Sequence, residues 1–178
     1  MSDRPARTFA DSVILWAAQG FGIGWIPVAP GTWGSLLGAG WLLVLLAPAQ
    51  PWVYVAGLVL SAFLSVWLCG RAEKILGRTD PGSVVMDEII AVPLCFAVWI
   101  AHYTSQAGHF PGPGALLQSN QLPVFIGLVA AFRFFDIVKP WPVRQSQCLP
   151  GGWGITVDDV LAAFYVNLVY LAWTLLFP

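Results

Sequence analysis

Read for hydrophobicity alone, the chain is a series of apolar runs separated by short polar breaks. Pro51 to Gly70 and Val160 to Phe177 are long enough to cross a bilayer as helices, which takes roughly 20 apolar residues. Ser35 to Ala47, Ile89 to Tyr103 and Leu122 to Phe135 are shorter, and predict partial, tilted or bundle-interior helices. Gly and Pro clusters at 20–34, 48–51, 108–114, 140–142 and 150–154 punctuate these runs and predict irregular backbone between helices. There is no internal repeat. The pattern predicts an all-α fold: one helical membrane domain over residues 1–178, with about five hydrophobic helices and Gly/Pro-rich loops carrying the chemistry. Trp52, Trp67, Trp99 and Trp173 fall near run ends, where indoles favour the membrane interface.

Composition agrees. Only 10% of the residues are charged and 58% are hydrophobic, against roughly 25% charged in an average soluble domain. No Asp, Glu, Lys or Arg occurs between Asp11 and Arg71, between Glu88 and Arg133, or after Asp159. With the N-terminus in the cytoplasm and five crossings, residues 71–88 and 133–159 return to the cytoplasmic side, and all eight Lys and Arg lie there. The loop Thr104 to Gln121 has no Lys or Arg and falls outside, as the positive-inside rule requires. A net charge of -1 and the lack of a basic stripe speak against a nucleic-acid partner. Cys69, Cys95 and Cys148 are far apart and predict reduced structural thiols. The start of the chain, with Asp3, Arg4, Arg7 and Asp11, does not read as a removed signal peptide.

Four short motifs carry the polar chemistry. Gly20 to Ser35 is Gly-rich and runs into an apolar helix; Thr32, Gly34 and Ser35 at that helix start suit a phosphate, although the same small residues serve close helix contacts. Asp80 to Glu88 places the carboxylates of Asp87 and Glu88 just before an uncharged helix, as hard oxygen ligands for Mg²⁺ or as a helix start favoured by the macrodipole. Phe132 to Arg144 puts Arg133, Asp136 and Lys139 at spacings of three on one helix face, with Pro140 ending the helix and Arg144 beyond it. These charges either pair internally or surround a phosphate. Gly151 to Asp159 ends in Asp158 and Asp159, either as metal ligands or, for Thr156 with Asp159, as a capping box.

Protein nucleophiles are hard to find. His102 and His109 belong to the predicted outer loop, no cysteine has Arg six residues later, no Asp-x-Asp occurs, and the one Arg-Pro pair is Arg4-Pro5. Water activated by a metal remains. A transporter or channel is the non-enzyme alternative, since carboxylates also line ion paths; here, however, they stand at segment ends. A lipid phosphotransferase using a CDP-alcohol is the enzyme alternative, but the chain has no Asp-Gly.

On Gly31-Thr-Trp-Gly-Ser35 with Pro27 to Pro30, Asp80 to Glu88, Phe132-Arg-Phe-Phe-Asp136, Lys139-Pro-Trp-Pro142 and Gly151-Gly-Trp-Gly-Ile155 with Asp158-Asp159, the sequence resembles the phosphatidylglycerophosphatase A family. The resemblance implies an all-helical enzyme of the bacterial inner membrane that removes the terminal phosphate of phosphatidylglycerophosphate with Mg²⁺. Its site would face the cytoplasm. On this reading Asp87, Glu88, Asp136, Asp158 and Asp159 are candidate metal ligands and Asp87, Glu88, Asp136, Arg133 and Lys139 the catalytic group. Thr32, Gly34, Ser35, Arg144 and Asp80 are candidates for binding substrate. Ala91 and Ala163 stand where the family pattern leads one to expect Gly. Oligomeric state is left open by the sequence.

Overall fold

In the computed structural model the described residues are 7–177, so Asp3, Arg4 and the Arg4-Pro5 pair lie outside them. All regular structure among them is helical: α1 Phe9–Ala18, a 3-10 turn Gly20–Trp25, α2 Pro30–Leu46, α3 Pro51–Leu76, α4 Met86–Leu94, α5 Ala97–Ala107, α6 Pro113–Leu116, α7 Leu122–Val138, α8 Val143–Ser146 and α9 Gly152–Leu176. Three stretches are long and apolar enough to span a membrane: Pro51–Leu76, Met86–Ala107 and Gly152–Leu176. Of the roughly five hydrophobic helices expected, three stretches are therefore long enough to span, and α2 and α7 are 17-residue helices beside them. Many large apolar side chains point outward, Leu60, Phe63 and Leu175 among them, which in water would be an association hazard and in lipid is the expected surface.

The middle span is broken where hydropathy alone shows a continuous run. Pro93 sits inside α4, and the backbone leaves helical hydrogen bonding before α5 begins. The groups freed there find partners on neighbouring helices. Asn167 of α9 accepts from the Val98 N–H at 2.9 Å and donates to the Leu94 carbonyl at 2.8 Å, and Tyr54 of α3 donates to the Pro93 carbonyl at 2.7 Å. In a bilayer such a break is tolerated only when its polar groups are satisfied by protein.

Glycines set how closely the helices approach. A Cβ at Gly38 of α2 would come within 2.7 Å of the Ile89 carbonyl oxygen on α4, and one at Gly152 would overlap the Val66 carbonyl of α3. These contacts draw α2 onto α4 and α9 onto α3, as small residues do between membrane helices. Phe96, Trp99 and Phe132 are the largest fully buried side chains among the described residues and belong to the core shared by α2, α5, α7 and α9. Trp99 is thus a core residue, not the interfacial indole its position at a run end predicts; its indole N–H donates to Gln121 at 3.0 Å. His102 likewise belongs to α5, against Tyr170, and not to the outer loop.

Candidate functional site

One end of the bundle collects the starts of α2, α4 and α9 and the end of α7, and with them the polarity of the layout: acids at two helix starts, cations at one helix end. Asp87 and Glu88 occupy the first turn of α4, and Asp159 lies in the third turn of α9. One carboxylate oxygen from each lies within 4.8 Å of the others. Asp87 and Asp159 are buried, and Asp87 Oδ1, Glu88 Oε2 and Asp159 Oδ2 have no hydrogen-bond partner. Two buried carboxylates and a partly buried third, converging with open lone pairs, are costly unless something positive joins them. Hard oxygen donors in this number suit a divalent cation completed by water and phosphate oxygens.

The cations stand beside this trio and are held by the other acids. Arg133 NH1 is 2.7 Å from Asp136 and 3.5 Å from Glu88, ionic contacts without hydrogen-bond geometry, and both NH1 and Nε are without a hydrogen-bond partner. Lys139, the left-handed residue closing α7, donates to Asp158 Oδ2 at 2.5 Å and lies 3.8 Å from Asp136. Burial alone would weaken the Lys139 ammonium, but the bond to Asp158 and the charges of Asp158, Asp136 and Asp159 outweigh it and raise its pKa above the usual value. Asp158 is fully engaged: its second oxygen accepts the Asp159 N–H at 3.0 Å, and Gln147 donates to Oδ2 at 2.9 Å.

Neighbouring carboxylates therefore have different surroundings. Asp87, Glu88 and Asp159 form the open trio, whereas Asp136 and Asp158, also candidate ligands by sequence, are engaged by Arg133 and Lys139. The expected capping box of Thr156 with Asp159 is not formed. α9 starts four residues before Thr156, at Gly152, and the Thr156 hydroxyl bonds Ser65 of α3 at 2.9 Å. A capping box does form at Thr8 and Asp11, ahead of α1.

The start of α2 covers the trio from one side. Gly31 packs against Glu88 and Arg133 with no room for a Cβ, and Gly34 packs on Val85 near Glu88. Ser35 is buried and spends its hydroxyl on the Gly31 carbonyl at 2.9 Å, while Thr32 is exposed. Asp80 is exposed with a left-handed backbone and is reached only by Gln147 at 3.5 Å, and Arg144 is exposed without an ion pair among the described residues. Gln147 is absent from the sequence-derived set. A lone polar residue in a loop gives no periodic signal, although its place between Lys139 and Asp158 in the chain is the one available hint.

Fold and site together define a helical membrane protein whose buried carboxylates, among the described residues, converge on one centre, with open carboxylates next to anchored cations. The same arrangement of motifs is that of a known family: the phosphatidylglycerophosphatase A model matches residues 16–174, and the chain belongs to that family. A phosphatidylglycerophosphatase A of Haemophilus influenzae is 35% identical over 156 residues, covering 87% of this chain and 85% of its own. The Escherichia coli protein of the same name is 35% identical over 147 residues, 82% of this chain and 74% of its own. A Bacteroides thetaiotaomicron protein, provisionally named a phosphatidylinositol-3-phosphatase, is 38% identical over 152 residues, 82% of this chain and 84% of its own. No solved structure matches the chain.

Proposed function

We propose that this protein hydrolyses the terminal phosphomonoester of phosphatidylglycerophosphate, yielding phosphatidylglycerol and inorganic phosphate, at a Mg²⁺ site on the cytoplasmic side of the bacterial inner membrane. The observation that carries the reading is the trio Asp87, Glu88 and Asp159, whose unpartnered oxygens converge beside Arg133. A lipid phosphatase needs both elements: oxygen donors for a divalent ion and fixed cations for the phosphoryl oxygens. Family membership supports the substrate and leaves neither the transporter nor the CDP-alcohol reading with a supporting observation.

Asp87, Glu88 and Asp159 would hold the ion. Bound there, Mg²⁺ supplies polarisation of the phosphoryl group and acidification of water at neutral pH. Arg133, fixed by Asp136, presents its free Nε to a phosphoryl oxygen, and Lys139 is held by Asp158 in reach of the same group. Both cations thereby offset charge as the water oxygen bonds to phosphorus and the ester P–O bond breaks. A carboxylate of the trio takes the water proton, and the leaving alkoxide ends as the hydroxyl of phosphatidylglycerol.

Phosphate release from purified protein in mixed micelles, with Mg²⁺ and with EDTA, tests this. Turnover of phosphatidylglycerophosphate should require Mg²⁺ and vanish in Asp87→Asn. Full turnover in EDTA would remove the metal from the mechanism, and faster release from phosphatidylinositol 3-phosphate would change the substrate.

A further inference from the structure

The two helices that carry the cations and the paired acids also enclose an apolar groove. It occupies about 320 Å³ between α7 and α9, with Gly127 and Ala131 on one wall and Val166 on the other. The groove starts at Ala131, one residue short of the Phe132–Arg133 step, and runs back along α7 to Pro123. At 1.5 Å per residue that is about 12 Å, close to the ~15 Å depth of one leaflet's hydrocarbon. Neither wall carries a charge: α7 has none before Arg133, and α9 has none after Asp159. Its polar side-chain groups are those of Tyr170 and Trp173, far along α9 from the site.

From this placement we infer that the α7–α9 groove is the acyl-chain subsite of the enzyme, seating one fatty-acyl chain of the phosphorylated lipid whose head group lies at Arg133 and Lys139. The inference rests on the proposed lipid phosphatase reading. Three observations select this occupant. Apart from Tyr170 and Trp173 the lining is wholly apolar; the groove lies between the same two helices that carry Arg133 and its neighbours Asp158 and Asp159; and its length is close to the hydrocarbon depth of a single leaflet. A second apolar groove of similar volume is walled by α2, α3 and the Met86, Ile89 and Ile90 side chains of α4; it borders the helix that carries Asp87 and Glu88 but has no residue of the cation-bearing α7 or of α9 in its lining.

Each groove contains a glycine whose Cβ would meet open space, Gly127 in the first and Gly40 in the second. Leucine at either position can fill a groove without displacing backbone. Gly127→Leu should raise KM about tenfold for dipalmitoyl phosphatidylglycerophosphate, the loss of roughly two methylene contacts, with kcat held. It should leave KM for the chainless bis-phosphoglycerol head group unchanged, and Gly40→Leu should leave both unchanged. An equal rise for both substrates, no rise for either, or the same rise in Gly40→Leu would overturn the assignment. A wild-type protein that hydrolyses neither substrate refutes the activity, and the groove then stands or falls on labelling. Phosphatidylglycerol with a mid-chain diazirine should crosslink to the α7 and α9 lining and lose that label in Gly127→Leu. Labelling spread evenly over the lipid-facing helices would refute the subsite.

Discussion

Replacing Asp159 by Asn separates stability from function at the trio. The carboxylate oxygens of Asp87, Glu88 and Asp159 lie within 4.8 Å of one another, with one oxygen of each unpartnered. At that separation two unit charges repel by about 3 kcal/mol for an effective dielectric near 20. Asp159 faces two such neighbours, while Arg133, 3.5 Å from Glu88, offsets part of the field. A net relief of about 1–3 kcal/mol on removing the Asp159 charge is the reasonable scale, or roughly 2–12 °C in Tm for a chain of this size. Asp159→Asn should therefore melt higher than wild type in EDTA, followed by intrinsic fluorescence of the ten tryptophans in detergent. Added Mg²⁺ should raise wild-type Tm and leave the variant nearly unmoved, and phosphate release by the variant should fall at least a hundredfold. A variant that melts lower than wild type in EDTA would refute the reasoning, because the Asp159 charge would then be stabilising without metal.

Other perturbations separate the remaining contacts. Asp158→Asn leaves the partly exposed Lys139 with only the longer Asp136 contact and should cost about 1–3 kcal/mol in thermal unfolding, while Mg²⁺ still raises Tm. Gly152→Ala drives a Cβ into the Val66 carbonyl and should cost at least 1–3 kcal/mol, read as a lower Tm with or without metal. Asn167→Leu strands the Val98 N–H and the Leu94 carbonyl and should cost about 2–5 kcal/mol in the same assay. The raised Lys139 pKa means that its contribution to stability is fully present below its unfolded value of about 10.4 and is lost only as pH rises through the higher folded value. The destabilisation by Lys139→Met should accordingly be the same at about pH 6 and about pH 9 when unfolding is measured at both.

Much of this was legible in the sequence because lipid constrains it so strongly. Charge-free runs located the bodies of α2, α3, α7 and α9 but cut short the start of α2, the end of α3 and the first eight residues of α9, where polar residues continue the helices, and the spacing of Arg133, Asp136 and Lys139 gave their shared face. The break after Pro93 was hidden because a hydropathy window counts side chains, and the compensating groups, Asn167 and Tyr54, come from distant helices. Thr156 has the sequence of a cap and the environment of a core hydroxyl, since Gly152 lets α9 begin early against α3. The division of labour between Asp158 and Asp159 is a matter of which side of α9 each faces, which adjacency in sequence does not reveal.

The Asn167 bridge also bears on how the site responds to its ligands. α9 grips α4 and α5 at the break while offering Asp159 to Asp87 and Glu88 two turns away, so the mutual repulsion of the acids cannot be relieved by sliding one helix along the other. Their oxygens are thereby held facing one another against their own electrostatic preference. For the proposed metal and phosphate the reorganisation on entry would be correspondingly small, so that an amide buried between helices, two turns from the acids, would help set how readily the site is used.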